Sequence, residues 1–251
     1  MSVLAIIGGT GLSKLVDLDG VHKRVIKTPY GEPSSALTFG KLNGVEVVFL
    51  ARHGYGHTIP PHKINYQANI WALKEAGVTD IVAVAAVGSM NKTMPPASLV
   101  LPNQLIDYTW GRLSTYFEED LEQVVHIDFT NPYSLTLRDR LSAAMAEVEL
   151  PVLNEAVYAC TQGPRLETAA EVVRLERDGC ELVGMTGMPE AGLARELKLN
   201  YACCAVVVNW AAGLEGDEIS MDKVEAFASE GMDKVHALLT ALVLQMETDA
   251  S

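Results

Sequence analysis

Short apolar runs of strand length alternate along the chain with segments whose apolar residues recur at helical spacing, and this alternation constrains the fold more than any other feature. Each run is rich in Val, Ile and Ala and is too short for a helix of ordinary length. Runs of this kind indicate strands that are covered on both faces of a sheet. The predicted strands are residues 3–7, 45–50, 80–86, 99–106, 156–160, 182–185 and 201–208.

Signals for the ends of helices stand between these runs. Asn131 followed by Pro132 predicts an N-cap with proline at the first helical position. Thr168 and Glu171 have the spacing of a capping box at the start of another helix. The segment 220–246 places its apolar side chains along one stripe and predicts a long helix near the end of the chain.

Strands that alternate with helices predict the α/β class, here a three-layer α/β/α arrangement around a mixed central sheet. The sequence has 251 residues, of which 49% are hydrophobic, enough for one sizeable core. It contains no linker, repeat or low-complexity stretch, so we expect a single domain over residues 1–251. Ligands of such folds bind where strands end, which directs attention to the loops after each predicted strand.

Charge and cysteine usage narrow the class of protein further. The formal net charge of −13 is spread along the chain, and it would repel nucleic acid or an anionic membrane. The four cysteines lie in apolar contexts without metal-ligand spacing, and we expect them to be reduced core residues. No basic leader or membrane-length apolar run is present in the sequence, so a cytoplasmic location is expected.

The first two strand ends carry groups that could hold an anion. Gly8-Gly9-Thr10-Gly11 could direct backbone N–H groups and a hydroxyl at one anion, although a tight turn explains the glycines equally well. Arg52 and His53 follow the second strand and suit a phosphate, although a salt-bridging surface pair has the same sequence.

Three later loops carry polar groups that could have a functional or a structural role. Glu167 could be a functional acid or a residue that stabilises the start of a helix. Thr186 lies at a strand-to-helix junction that presents a backbone N–H beside a hydroxyl. Asn209 ends an apolar strand, where asparagine is often a turn residue.

Taken together, these loops resemble the trimeric purine nucleoside phosphorylase and methylthioadenosine phosphorylase family. The segments that carry the resemblance are GGTG, ARHGYGHTIPPHKINYQANIWALKEAGVTDI, GPRLETAAE and GMTGMPE, in the family's order and spacing. NYQANIWALKE is most like the methylthioadenosine branch. The resemblance implies a homotrimeric enzyme that uses inorganic phosphate as co-substrate and needs no metal or redox cofactor.

The resemblance also implies a role for individual residues. Phosphate is expected among Thr10, Arg52, His53, Ala85, Ala86 and Thr186. The nucleoside is expected to contact Leu166, Glu167, Met185, Asn209, Ala211 and Met221, with His126 supplied by a neighbouring subunit. Asn209 is the expected catalytic residue, because it can stabilise the departing purine.

The sequence departs from the methylthioadenosine branch at the residues that would face the base. Asn209 and Ala211 stand where that branch has two aspartates, and Glu167 stands where it generally has serine. Asn209 and Glu167 resemble the 6-oxopurine enzymes instead, and an ionised Glu167 matches the N1–H of a 6-oxopurine. Met221 stands where the 6-oxopurine enzymes have a histidine for the ribose 5′-hydroxyl, and it suits a methylthio group.

This combination predicts 5′-methylthioinosine as the substrate. The alternatives within enzymes are a methylthioadenosine phosphorylase that tolerates Asn209 and a general inosine or guanosine phosphorylase. A purine-binding sensor, an inactive scaffold or a hydrolase that uses water are further alternatives. The presence of the whole phosphate set disfavours the sensor and the scaffold, and dependence on added phosphate would distinguish the hydrolase.

Overall fold

The computed structural model describes residues 3–9, 18–119, 123–214 and 218–250. Within these residues the chain forms one mixed ten-stranded sheet with five α-helices, which confirms the predicted α/β class. The strands are β1 Leu4–Gly8, β2 Asp19–Arg24, β3 Leu37–Leu42, β4 Val45–Ala51, β5 Asp80–Ser89, β6 Leu99–Val100, β7 Gln104–Asp107, β8 Val157–Cys160, β9 Leu182–Gly184 and β10 Asn200–Trp210. The helices are α1 Tyr66–Glu75, α2 Leu135–Glu147, α3 Ala169–Arg177, α4 Gly187–Glu196 and α5 Met221–Ala250.

Strand β5 is the branch point of the sheet. β10 runs parallel to it along its whole length, from Asp80 to Ser89. On the opposite edge β1 pairs with β5 only as far as Ala83, and β9 pairs with it only from Gly88. Among the described strands, none therefore pairs with residues 84–87 of β5 on this edge. The site described below lies beside these residues.

The helices cover both faces of the sheet. Alternate residues of β1 point to opposite faces, as the two-residue period of a strand requires. Ile7 packs in a cluster with residues of α1 and α4, whereas Ile6 packs in a second cluster with residues of α2 and α5. The three-layer arrangement predicted from the sequence is thus confirmed.

Two sequence predictions of element boundaries are wrong. The predicted strand 99–106 is split into β6 and β7, and Pro102, which cannot donate to a sheet ladder, lies between them. The N-cap of α2 is Ser134, whose hydroxyl accepts a hydrogen bond from the N–H of Leu137, and not Asn131. By contrast, the capping box of Thr168 and Glu171 is present as predicted.

Strands β2 and β3 were not predicted. Every residue of β2 is exposed, so its sequence lacks the apolar run that marked the other strands. The four cysteines are free and buried, as expected for core residues. Among the described helices, none is long and apolar enough to cross a membrane.

Candidate active site

A cavity of about 830 Å³ opens where β1 and β9 diverge along β5. The residues that line it come from the loops after β1 and β4, the unpaired edge of β5, the β9–α4 junction, the end of β10 and the start of α5. Sequence-predicted residues that line it are Arg52, His53, Ala85, Ala86, Leu166, Glu167, Met185, Thr186, Asn209, Ala211 and Met221. Loops that are far apart in the sequence therefore meet in one cavity.

Two sequence-predicted residues are not part of this lining. Thr10 lies outside the described residues. His126 is exposed and is absent from the described lining of the cavity. The resemblance assigned His126 to the site of a neighbouring subunit, so its exposure within one chain does not conflict with that assignment.

Arg52 is fixed in place by a buried ion pair with Glu190 of α4. Its Nε and Nη2 donate to the two carboxylate oxygens at 2.7 and 2.8 Å, and its Nη1 donates to the Val84 carbonyl at 3.0 Å. Tyr201 donates a further hydrogen bond of 2.8 Å to Glu190. A guanidinium has five N–H groups, so these three bonds leave two for a ligand. One of these remaining N–H groups is on Nη1 and the other is on Nη2.

Burial and Glu190 act in opposite directions on Arg52. Burial lowers the pKa of the guanidinium, but the charge and the hydrogen bonds of Glu190 outweigh burial and raise that pKa above its ordinary value. Arg52 is therefore charged at every physiological pH. It presents a fixed cation to the cavity, with a position set by α4.

His53 is neutral near pH 7. Burial, together with the charge of Arg52, lowers its pKa to about 4. Its Nδ1 lies 2.9 Å from the Ile59 carbonyl oxygen, which can only accept, so Nδ1 carries the proton. The ring also stacks on His57, with centroids 4.2 Å apart. The neutral ring therefore offers Nε2 as an acceptor.

Thr186 stands at the start of α4. It is the N-cap residue, yet within the described part of the chain its hydroxyl makes no capping bond. The backbone is kinked at Met188, so the regular part of α4 begins after that residue. Thr186 lies before the kink, lines the cavity and has its side chain beside the Tyr158 hydroxyl. Its backbone N–H faces the Tyr158 hydroxyl at 3.4 Å. Tyr158 lies so close beneath Gly184 that a Cβ there would come within 2.2 Å of the hydroxyl oxygen.

Asn209 lies at an irregular pairing in β10. The register between β10 and β5 shifts between Val207 and Asn209, and such a bulge turns a side chain away from the regular alternation. The Asn209 Nδ2 donates to the Trp210 carbonyl at 2.6 Å. One N–H and the amide oxygen remain for a ligand.

Glu167 is oriented by Thr161 at the end of β8. The Thr161 hydroxyl donates to a Glu167 carboxylate oxygen at 2.7 Å. The remaining oxygen lone pairs can accept from a donor in the cavity. A donor and an acceptor on Asn209 and an acceptor on Glu167 therefore serve the same cavity.

The start of α5 provides an apolar end to the cavity. Val224, Ala228 and Met232 follow Met221 along one face of the helix, and Ile219 precedes it. Met221 itself is 59% exposed, so it lies at the rim of this apolar end. The group that enters there meets mainly carbon and sulfur.

Several residues that shape the site were missed at the sequence level. Glu190 lies within GMTGMPE, but its pairing with Arg52 could not be read from its position. Thr161 and Arg112 lie in segments that carried no motif. The signal in the sequence was an acid directly after Pro189, and that signal is weak.

Comparison with known proteins identifies the relatives of the chain. The model of the phosphorylase superfamily matches residues 3–244. A protein of Pseudomonas syringae pv. tomato described as "Probable S-methyl-5'-thioinosine phosphorylase" is 54% identical over 243 residues, covering 97% of this chain and 99% of its own length. The 6-oxopurine nucleoside phosphorylase of Pyrococcus furiosus is 45% identical over 252 residues, covering 97% and 93%.

Solved structures share the whole architecture. A methylthioadenosine phosphorylase from an antarctic soil metagenomic library superposes with a TM-score of 0.92 at 36% identity, covering 100% of this chain and 88% of its own. The methylthioadenosine phosphorylase of Schistosoma mansoni in complex with adenine gives a TM-score of 0.91 at 32% identity, covering 99% and 93%.

Proposed function

We propose, on the premise that this chain belongs to the phosphorylase superfamily, that it catalyses the phosphorolysis of 5′-methylthioinosine. The products are hypoxanthine and 5-methylthioribose 1-phosphate, a reaction of purine salvage. Relatives named for S-methyl-5′-thioinosine and for 6-oxopurine nucleosides support this class of substrate. The observation that carries the proposal is that Asn209 and Glu167 share one cavity with Arg52, His53 and Thr186.

Phosphate binds at the end of the cavity formed by Arg52, His53 and Thr186. Two N–H groups of Arg52 and the Thr186 hydroxyl can donate to its oxygens. The expected neighbours Ala85 and Ala86 let the backbone of β5 approach closely. A phosphate oxygen then bonds to C1′ as the bond from C1′ to N9 of the base breaks. Phosphate stabilises the positive charge that develops on the ribose.

Asn209 and Glu167 act on the departing base. The electron pair of the broken bond goes to the purine, which leaves as an anion unless N7 takes up a proton from water, and hydrogen bonds to the base stabilise the departing charge. The free N–H of Asn209 can donate to O6, and its amide oxygen can accept from N7–H. Glu167 accepts from N1–H of the 6-oxopurine. In a 6-aminopurine, N1 carries a lone pair and no hydrogen. The Glu167 carboxylate would then be removed from water without a hydrogen-bond donor.

The remaining contacts concern the sugar. Met185 faces the ribose, and Leu166 and Ala211 complete the nucleoside site. Met221, with the apolar residues that follow it on α5, receives the 5′-methylthio group. Phosphate is a co-substrate, and the expectation that no cofactor is needed stays a prediction.

A homotrimer is part of the proposal. His126 is flanked by exposed apolar residues, with Val124, Val125 and Ile127 exposed by 71%, 42% and 38%. A run of this kind fits against another copy of the chain, which would carry His126 to a neighbouring site. The oligomeric state by sedimentation or light scattering tests this part, and an active monomer would contradict it.

The test of the function is a substrate panel that crosses hypoxanthine, adenine and guanine bases with 5′-hydroxyl and 5′-methylthio riboses. We expect base release only with added phosphate, and the highest kcat/KM for 5′-methylthioinosine. Equal rates for inosine and 5′-methylthioinosine would favour a general 6-oxopurine nucleoside phosphorylase, the activity named for the Pyrococcus furiosus relative. Base release without phosphate would indicate a hydrolase.

A further inference from the structure

Arg112 makes more hydrogen bonds than any motif residue that the structure describes at the site, although it lies in a loop between β7 and α2 that carries no motif. The residue is half-buried. Its Nη1 faces the carbonyl oxygens of Met185 and Met188 at 2.9 and 2.6 Å and the Tyr66 hydroxyl at 3.2 Å. Its Nη2 and Nε face acceptors after β8, so one guanidinium spans two loops.

The contacts after β8 involve Thr161 and Gln162. Nη2 donates to the carbonyl oxygens of Thr161 and Gln162 at 3.3 and 2.9 Å, and Nε donates to the side-chain oxygen of Gln162 at 3.2 Å. Thr161 in turn binds the carboxylate of Glu167 through its hydroxyl. Arg112 is therefore linked through Thr161 to Glu167, the acid proposed to face the base.

The two loops that Arg112 joins also touch each other directly. Gly163 has a positive φ of 61°, and a Cβ there would lie 2.5 Å from the Met185 sulfur. The chain thus needs glycine at this position because the backbone and the Met185 side chain are so close. A small shift of either loop would move Met185 and Glu167 relative to one another.

The contacts of Arg112 indicate that it orients the groups around it and does not act mainly as the partner of a charge. Every acceptor that the structure gives Arg112 is uncharged, and most are main-chain carbonyls. A planar fork with five N–H groups fixes the relative direction of several carbonyls, whereas a lysine ammonium is a point charge that does not. The Arg112 guanidinium also lies 5.5 Å from the centre of the Tyr66 ring.

We propose that Arg112 is a positioning residue that holds the ribose-facing Met185 and the base-facing Glu167 in one geometry. This inference rests on the proposed function, because it assigns those two residues to the two halves of one nucleoside. Among the described residues that line the cavity, Arg112 is absent. Its loss should affect the nucleoside more than the phosphate. Thr186 lies between Met185 and Met188, whose carbonyls Arg112 holds, but Arg52 stays fixed by Glu190.

The experiment compares Arg112→Met and Arg112→Lys with the wild-type enzyme. Arg174→Met is the matched control, because Arg174 is an exposed residue of α3 paired with Asp178 at 3.8 Å, outside the cavity lining. We expect both Arg112 variants to lose about 10- to 100-fold in kcat/KM for the nucleoside, since displacements near 1 Å have costs of this size. The phosphate KM should rise by a clearly smaller factor than the nucleoside kcat/KM falls, and the preference for 6-oxo over 6-amino bases should fall.

A purely structural role would lower the melting temperature without this split between the two substrates. Equal changes in the nucleoside and phosphate KM, or variants that behave like Arg174→Met, would overturn the inference. If the Arg112 variants do not fold, Gln162→Leu, which removes the side-chain acceptor that Nε shares with the Trp110 N–H, must show the same split at smaller size. If Gln162→Leu changed the kinetics for the nucleoside and for phosphate equally, the inference would then be overturned.

Failure of the proposed function would look different. A wild-type enzyme that releases no base from any 6-oxopurine nucleoside in the presence of phosphate would refute the function itself. If the wild type were active but the variants changed the kinetics for the nucleoside and for phosphate equally, only the role of Arg112 would be refuted.

Discussion

Arg52 and Glu190 form two parallel hydrogen bonds of 2.7 and 2.8 Å across a separation of 138 residues in the chain. The pair is almost completely removed from water, with 2% and 0% of the two side chains exposed. Two buried charges of opposite sign are tolerated because each satisfies the other, and removal of one leaves the other uncompensated. The pair therefore ties the orientation of Arg52 to the integrity of the fold.

The first prediction concerns this pair. Glu190→Gln keeps the shape of the side chain but leaves Arg52 charged and unpaired, so we expect a loss of about 3–5 kcal/mol in the free energy of unfolding. The phosphate KM should rise as well, because Arg52 loses its fixed orientation. Urea unfolding and phosphate titrations of the rate measure the two effects. Glu171→Gln breaks the exposed pair with Arg165 and is the control, with an expected change of about 0–1 kcal/mol. Equal stability of Glu190→Gln and Glu171→Gln would contradict the prediction.

The second prediction concerns pH and His53. The pKa of His53 is about 4 in the folded protein against an ordinary value of 6.5, so between these values the unfolded chain binds more protons at this residue than the folded one. The contribution of His53 to stability is thus present above pH 6.5 and is lost as the pH falls toward 4. His53→Asn, which keeps a donor for the Ile59 carbonyl, should reduce the slope of stability against pH in this window. The expected reduction is at most about 1.4 kcal/mol per pH unit. Parallel curves for the two proteins between pH 4.5 and pH 6 would show that His53 does not titrate in this way.

The third prediction concerns the choice of base. Asn209→Asp combined with Glu167→Ser removes the acceptor that faces N1 and supplies an acid near N7, so preference should move toward 6-aminopurines. Sites built on hydrogen bonds can discriminate by roughly 10⁴-fold, so the wild-type preference for the 6-oxo base can be large. The measurement is the ratio of kcat/KM for 5′-methylthioinosine and 5′-methylthioadenosine. Comparable rates of the wild type on the two substrates would refute the roles assigned to both residues.

The fourth prediction concerns the 5′ group. Replacement of the methylthio group by a hydroxyl should cost the wild type about 10- to 200-fold in kcat/KM, because a hydroxyl in the apolar end loses its partners. Met221→His should narrow this gap by giving the hydroxyl a polar neighbour. Since Met221 is 59% exposed and Val224, Ala228 and Met232 remain, the gap should shrink without reversing. The assay compares inosine with 5′-methylthioinosine at saturating phosphate, and a wild-type ratio near one that the variant leaves unchanged would remove Met221 from the specificity site.

Local chemistry explains which elements could be predicted from the sequence. The strands β1, β4, β5 and β10 were predicted because each carries a continuous apolar run that only a buried strand accommodates. The start of α3 was predicted because a capping box is formed by residues three apart in the chain. Strand β2 was missed because its residues are exposed, and its pairing with β3 depends on the rest of the sheet.

The sequence by itself determined the α/β class, the loops that carry polar groups and, through its resemblance to a family, the residues expected to meet phosphate and nucleoside. Those properties depend on residue type and on spacing over a few positions. Only the tertiary structure decided that Arg52 is bound to Glu190, that His53 presents Nε2 as an acceptor and that Arg112 joins the loops of Met185 and Thr161. These relationships depend on distances between segments far apart in the chain, and burial, pKa and hydrogen-bond direction take their values only when those segments meet.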